Sequence, residues 1–235
     1  MRLRRGDGPA LRVGHRGAAA LAPENTLAAI RAAIEHGVDA VEFDVLDDGG
    51  ALVLAHSSRE LPGDRATLDE ALALVGGAGV AAHVDLKARG LEEAVVAALR
   101  RHDLVGRSLV SSLDWAALRD LRRFEPAARV GLSYPEDRFG LSGRRAFAPL
   151  LAGGLATMRR TLPRLIGRWL DRADAAAAVV HFQLVTRALV ERCHQRDVAV
   201  WAWTVNDSEA ARRLEALGAD AIISDDPRIL GQSTS

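Results

Sequence analysis

A (β/α)8 barrel of the TIM type, folded as one α/β domain, is the architecture the sequence predicts. Short apolar runs and amphipathic helical stretches alternate from end to end, and eight such pairs fit within the 235 residues. The rival is a doubly wound open sheet. No Gly-rich dinucleotide fingerprint and no phosphate-loop lysine motif accompanies the first strand, which weakens it. No linker, internal repeat or low-complexity segment divides the chain. The barrel is expected over residues 10–230, with short tails at 1–9 and 231–235.

The first strand begins at Val13 and the run ends at Gly17. Thr26 to His36 reads as a helix, with Leu27, Ile30 and Ile34 on one stripe, Asn25 as N-cap and Gly37 as stop. Ala40 to Leu46 is the second strand, and Asp47 to Gly50 a turn. Ala51 to His56 is extended again, either a continuation or an extra strand. Thr67 or Asp69 caps a helix through Val75, broken by Gly76 to Gly79. Val80 to Lys87 is the third barrel strand, and Leu91 to His102 an amphipathic helix. Ser108 to Leu113 pairs with the helix Trp115 to Phe124, and Arg129 to Tyr134 is the fifth strand. Residues 135–172 are less regular, punctuated by Pro149 and Pro163, and predict a longer loop with one or two helices. Ala175 to Phe182, Val198 to Val205 and Ala221 to Ser224 complete the strands. Thr186 to Arg196 is a helix. Asn206 with Glu209 resembles a capping pair for the next, which stops at Gly218. Pro227 to Leu230 is a short last helix, and the final five residues read as disordered.

Formal net charge is zero and no basic block stands out, which argues against a nucleic-acid partner. The one cysteine, Cys193, excludes an internal disulfide and is read as helix packing. No secretory signal and no apolar stretch of spanning length is seen, so a cytoplasmic protein is expected. All but one of the 31 basic residues are arginine. The lone lysine, Lys87, lies two residues after Asp85 at a strand end. That placement suggests a site that needs a compact ammonium.

Polar groups collect at the strand ends. Side chains alternate along a strand, so Glu42 and Asp44 share a face, as do His83, Asp85 and Lys87. With His15 and His56 they would surround one barrel mouth. Three carboxylates so placed repel unless a divalent cation neutralises them, and oxygen-only ligation favours Mg2+ or Ca2+. The histidines are then free for proton transfer. Arg16 and Lys87 suit an anion, above all a phosphate. His181 and Gln183 share a face near the end of strand six. A buried, satisfied pair is the plainer account of them. Trp201 lies deeper than Trp203 and is read as core.

His15-Arg16-Gly17 followed by Pro23-Glu24-Asn25-Thr26 resembles the opening signature of the glycerophosphodiester phosphodiesterase family. Glu42-Phe43-Asp44-Val45 resembles its metal-binding pair, and His56 its second histidine. Asp85-Leu86-Lys87 resembles its carboxylate-x-lysine motif, which normally opens with glutamate. Ser57 stands where aspartate usually follows the second histidine. Trp203 to Asn206 and Gly218 to Asp225 resemble its last two strands. The resemblance covers essentially the whole chain. It implies a barrel that hydrolyses glycerophosphodiesters to glycerol 3-phosphate and an alcohol. Glu42, Asp44 and Asp85 would hold one cation, with His15 and His56 the acid/base pair. Arg16 and Lys87 would bind phosphate oxygens, and Trp203 would line the alcohol side. Only 28 residues separate His56 from Asp85, which leaves no room for a sizeable inserted subdomain between strands two and three. A mouth open in that way also suits lysophospholipids, and an apolar collar from Phe139 to Trp169, including Leu150, Leu151 and Met158, would favour them. A non-catalytic phosphodiester-binding barrel is the remaining alternative. The paired histidines speak against it, because a binder needs no proton shuttles.

Overall fold

The computed structural model describes residues 1–61, 63–135 and 148–231, with 148–153 described by backbone alone. Eight parallel strands close into a barrel: β1 (Leu11–Gly14), β2 (Ala40–Asp48), β4 (Ala81–Leu86), β5 (Ser108–Ser112), β6 (Val130–Tyr134), β7 (Ala177–His181), β8 (Ala199–Trp203) and β9 (Ala221–Ser224). Closure comes from β1, which pairs with β2 through Val13↔Ala40 and with β9 through Val13↔Ile223. The ninth strand, β3 (Ala51–Leu54), is the extra one. It folds back antiparallel on the end of β2 through Val45↔Leu54 and Asp48↔Ala51. The hairpin lifts His56 over the mouth. A 3-10 turn and α2 (Leu68–Gly77) are all else that lies between β3 and β4 among the described residues, so no inserted subdomain is present there.

Helices α1 (Leu27–Glu35), α2, α3 (Glu92–Arg101), α4 (Trp115–Phe124), α5 (Ala148–Ala173), α6 (Arg187–His194) and α7 (Ser208–Leu217) wrap the outside. Helices α1, α2, α4, α6 and α7 each begin at a side-chain cap ahead of a buried apolar stripe. Thr67 caps α2 in a full capping box with Glu70. On α1 the N-cap is Thr26, whose hydroxyl accepts from the Ala29 amide, and not Asn25. Asp207, and not Asn206, caps α7. In both cases the asparagine expected to cap is used in the site instead. Helix α5 runs 26 residues through Pro163 where a looser segment is expected. Leu162, Ile166, Leu170 and Ala173 are buried at intervals of four, four and three residues, and that stripe offsets the hydrogen bond proline cannot make.

Inside the barrel, small and large residues alternate. Val13, Ala40, Leu109, Ala177 and Ile223 surround Trp201, which is fully buried as expected. The residues ahead of β1 pack beneath this layer. Met1 and Leu3 lie against it, and the Trp201 indole donates to the Leu3 carbonyl at 3.1 Å. The open end is therefore the C-terminal one. Cys193 is buried in the outer core. No helix among the described residues is long and apolar enough to cross a membrane. Of the suggested collar, Phe139 and the side chains of Leu150 and Leu151 lie outside the described residues. So do residues 232–235. Met158 packs against the core and not at the mouth.

Candidate active site

All eight residues expected at the site line one cavity of about 370 Å3 at the C-terminal mouth: His15, Arg16, Glu42, Asp44, His56, Asp85, Lys87 and Trp203. The first strand delivers His15 and Arg16 through a tight turn. Arg16 has φ 49° and Gly17 φ 87°. A Cβ on Gly17 would lie 2.5 Å from the Ala29 backbone, so only glycine lets α1 dock that closely. Asn25, with φ 56°, turns its side chain inward. Its amide nitrogen donates to Asp44 Oδ2 at 2.9 Å, and its Oδ1 accepts from the Asp44 amide at 3.1 Å.

Asp44 is the hub. It is buried, and Arg16 Nε lies 3.0 Å from its Oδ2 while Lys87 Nζ lies 2.7 Å from its Oδ1. His56 Nδ1 is 3.2 Å from Oδ2 and 3.0 Å from Arg16 Nη2. Burial works against its charge, but the hydrogen bond from His56 and the cations of Lys87 and Arg16 outweigh it. Asp44 is held well below the usual carboxylate range. His56 thus finds its carboxylate across the mouth, and Ser57 is put to another use. Glu60 accepts from the His56 amide at 2.9 Å and from the Ser57 hydroxyl at 3.0 Å, fixing the loop.

His15 is paired differently. Its Nδ1 lies 2.6 Å from Asp225 Oδ1, and its Nε2 lies 4.0 Å from Glu42 Oε2. Burial disfavours the charged ring, yet the Asp225 hydrogen bond and Glu42 outweigh burial, and His15 titrates above its ordinary value. Asn206 holds Asp225 in turn. Its Nδ2 donates to Oδ2, and its Oδ1 accepts from the Asp225 amide at 3.0 Å. Both histidines engage Nδ1, which leaves Nε2 for a substrate.

Glu42 accepts the Arg16 amide at 2.8 Å. Burial, then the charge of Asp44, pushes its carboxyl up to about 7. Asp85 contacts Lys87 and Ser111, with Ser133 at 3.3 Å. Lys87 is held protonated above its ordinary value. Burial opposes this, but the neighbouring Asp85 and Asp44 prevail. His83, also in the cavity wall, is pushed down to about 4 by burial. Ligand oxygens of Glu42, Asp44 and Asp85 lie within 4.8 Å of one another. Oxygens opposite each other around one ion stand about 4 Å apart for Mg2+ and about 5 Å for Ca2+. The spacing and the proton-seeking Glu42 therefore fit one hard divalent cation. Trp203 closes the far wall, its indole bonded to the Val179 carbonyl at 3.1 Å and its ring edge-on to His181 at 5.5 Å. Among the described residues, His181 reaches the site through Trp203.

Sequence reasoning misses the roles of Asp225, Asn206 and Asn25. The signal for Asp225 is the closure itself. A carboxylate ending the last barrel strand is necessarily beside the first strand, where His15 sits.

A barrel mouth that gathers three close carboxylates, two carboxylate-paired histidines, a lysine and an arginine fits a class, the hydrolases of anionic esters. The chain belongs to the glycerophosphoryl diester phosphodiesterase family, whose model matches residues 15–147 and 148–229. A glycerophosphodiester phosphodiesterase of Caldanaerobacter subterraneus is 26% identical, over 93% of this chain and 95% of its own. The crystal structure of a phosphodiesterase of Oleispira antarctica in complex with the product sn-glycerol-3-phosphate superposes with a TM-score of 0.72. It is 25% identical and covers 95% of each chain. A structure from Silicibacter pomeroyi has the same fold, with a TM-score of 0.76 at 24% identity, covering 97% of this chain and 95% of its own.

Proposed function

We propose that this protein hydrolyses glycerophosphodiesters to glycerol 3-phosphate and an alcohol, using one divalent cation, Mg2+ or Ca2+, and the pair His15 and His56. The observation that carries this is the placement of the three close carboxylates between two histidines whose Nδ1 atoms are already committed. The product found in the Oleispira relative supports the same substrate class.

Glu42, Asp44 and Asp85 would hold the cation. When bound, it withdraws charge from the phosphoryl oxygens and offsets the negative charge of the transition state. Arg16 and Lys87 bind the remaining oxygens and orient the diester. One histidine takes the proton from an attacking glycerol hydroxyl next to the phosphate. The other gives a proton to the departing alkoxide, and a cyclic phosphate results. Water then opens the ring with the two histidines in reversed roles. His15 suits the deeper position, because its side chain is 16% exposed and Asp225 stabilises its charged form. His56, 43% exposed, stands at the rim, where the alcohol leaves. Trp203 packs on the alcohol side.

Leu113, 43% exposed at the cavity edge, together with Pro135, favours lysophospholipids as a second substrate group. Turnover of glycerophosphocholine and lysophosphatidylcholine, with Mg2+, with Ca2+ and with chelator, tests both readings. The expected result is cation-dependent release of choline from at least one. Metal-dependent binding of both without release would replace hydrolysis by the binding reading.

A further inference from the structure

We infer that Ser111, oriented by His83, is a positioning residue that fixes which oxygen of Asp85 is offered to the cation. The inference rests on the proposed reading of Asp85 as a cation ligand.

Ser111 Oγ contacts Asp85 Oδ1 and lies 2.8 Å from His83 Nε2. A hydroxyl has one proton, and a carboxylate only accepts. The Ser111 proton therefore goes to Asp85, and His83 Nε2 must be the donor to Ser111. The other ring nitrogen agrees. His83 Nδ1 is buried with no partner among the described residues, and a lone pair is the cheaper group to leave there than an N–H. The relay thus has one direction, His83 to Ser111 to Asp85. Ser133 Oγ adds a second hydroxyl 3.3 Å from the same Oδ1. Oδ1 is spent on the barrel wall, and Oδ2, which contacts Lys87, is the atom left for other partners.

The strands make this arrangement. His83 and Asp85 share a face of β4, and the register Asp85↔Ser111 brings the hydroxyl alongside. Trp201 stands edge-on to the His83 ring, with centroids 5.2 Å apart, and limits its rotation. His83, Ser111 and Trp201 are all essentially buried. An aspartate on a strand leaves its carboxylate free to turn about χ2. Two hydroxyls on one oxygen remove that freedom before a cation arrives.

The test is calorimetric titration of Mg2+, and separately of Ca2+, into wild-type protein and into Ser111→Ala, His83→Leu, the double variant, His83→Gln and Asp85→Ala, each checked for cooperative unfolding. Removing a group that orients a metal ligand costs about 10–100-fold in affinity. Ser111→Ala and His83→Leu are each expected to weaken binding at the low end of that range, and the double variant no further than either. His83→Gln, which keeps an N–H donor, is expected to retain most of the affinity. Wild-type affinity in Ser111→Ala, or losses in the single variants that multiply in the double, overturns the relay. Should His83→Leu not fold, Ser111→Ala and His83→Gln decide alone. Wild-type affinity in Asp85→Ala overturns the reading beneath it.

Discussion

Strands β1, β2 and β4, with the hairpin beyond β2, bring His15, Arg16, Glu42, Asp44, His56, Asp85 and Lys87 to the mouth. Strands β5 to β9 bring Leu113, Pro135, Val179, Trp203 and Ile223, along with the hydroxyls of Ser111 and Ser133 that brace Asp85. On the first side almost every group is held by another: Asp44 alone touches Asn25, Arg16, His56 and Lys87. On the second side Ser111, Ser133 and Asp225 brace groups of the first, and the remaining wall, Leu113, Pro135, Val179, Trp203 and Ile223, is apolar. The comparison teaches how each side should respond to damage. Loss of one member of a charged network leaves its partners buried and unpaired, which is costly and not additive. Loss of an apolar wall residue removes contact area and little else.

The largest effect is expected for His15→Ala, which should lower kcat about 10²–10⁴-fold with the fold intact. A loss confined to KM would show that His15 binds without moving a proton. Asp225→Asn should come next, and its signature is the pH–rate profile. Asp225 raises the His15 value, so its removal should shift the His15 limb toward lower pH. An unmoved limb would assign that limb elsewhere. On the apolar side, Trp203→Ala should raise KM several-fold while changing kcat little, and more for a bulky alcohol than a small one. If Trp203→Ala cost as much as His15→Ala, the division between the two sides would fail.

The smallest expected effect is on stability, and it runs with pH. Folding raises the values of both Glu42 and His15. Groups of this kind stabilise the fold below their unfolded values and lose that contribution as pH rises through the folded ones. His83, pushed down to about 4, works the other way below its unfolded value, so without cation the melting temperature should fall only above about pH 6.5. Added Mg2+ or Ca2+ should restore it, most strongly at the alkaline end. Below about pH 7 a proton on Glu42 competes with the cation, so cation affinity should weaken as pH falls.

The eight strands were legible because their apolar runs are short, evenly spaced and closed by turn residues. The cluster at the mouth was legible because alternation along a strand puts Glu42 with Asp44 and Asp85 with Lys87. What the sequence hid depended on pairing between distant segments. Asn25 and Asn206 both precede helices and look like caps, yet the neighbouring Thr26 and Asp207 do the capping. Nothing local distinguishes a cap asparagine from one that turns to a carboxylate 19 residues away, as each of these does. The Ser111–Asp85 contact required the register of β4 on β5, which no single strand encodes. Helix α5 was misread for the opposite reason. Its local signals, glycines and Pro163, pointed to interruption, and burial of one long stripe overrode them.

The chain carries a single lysine, and its ammonium is clasped between two carboxylates at the centre of the mouth. The position therefore doubles as a built-in reporter. Amine-directed acylating reagents meet only one ε-amine in the whole protein, and in the closed site it is protonated and mostly covered. The rate at which residue 87 becomes labelled would measure how often the mouth comes apart. Arginines supply the other side-chain cations and would stay silent.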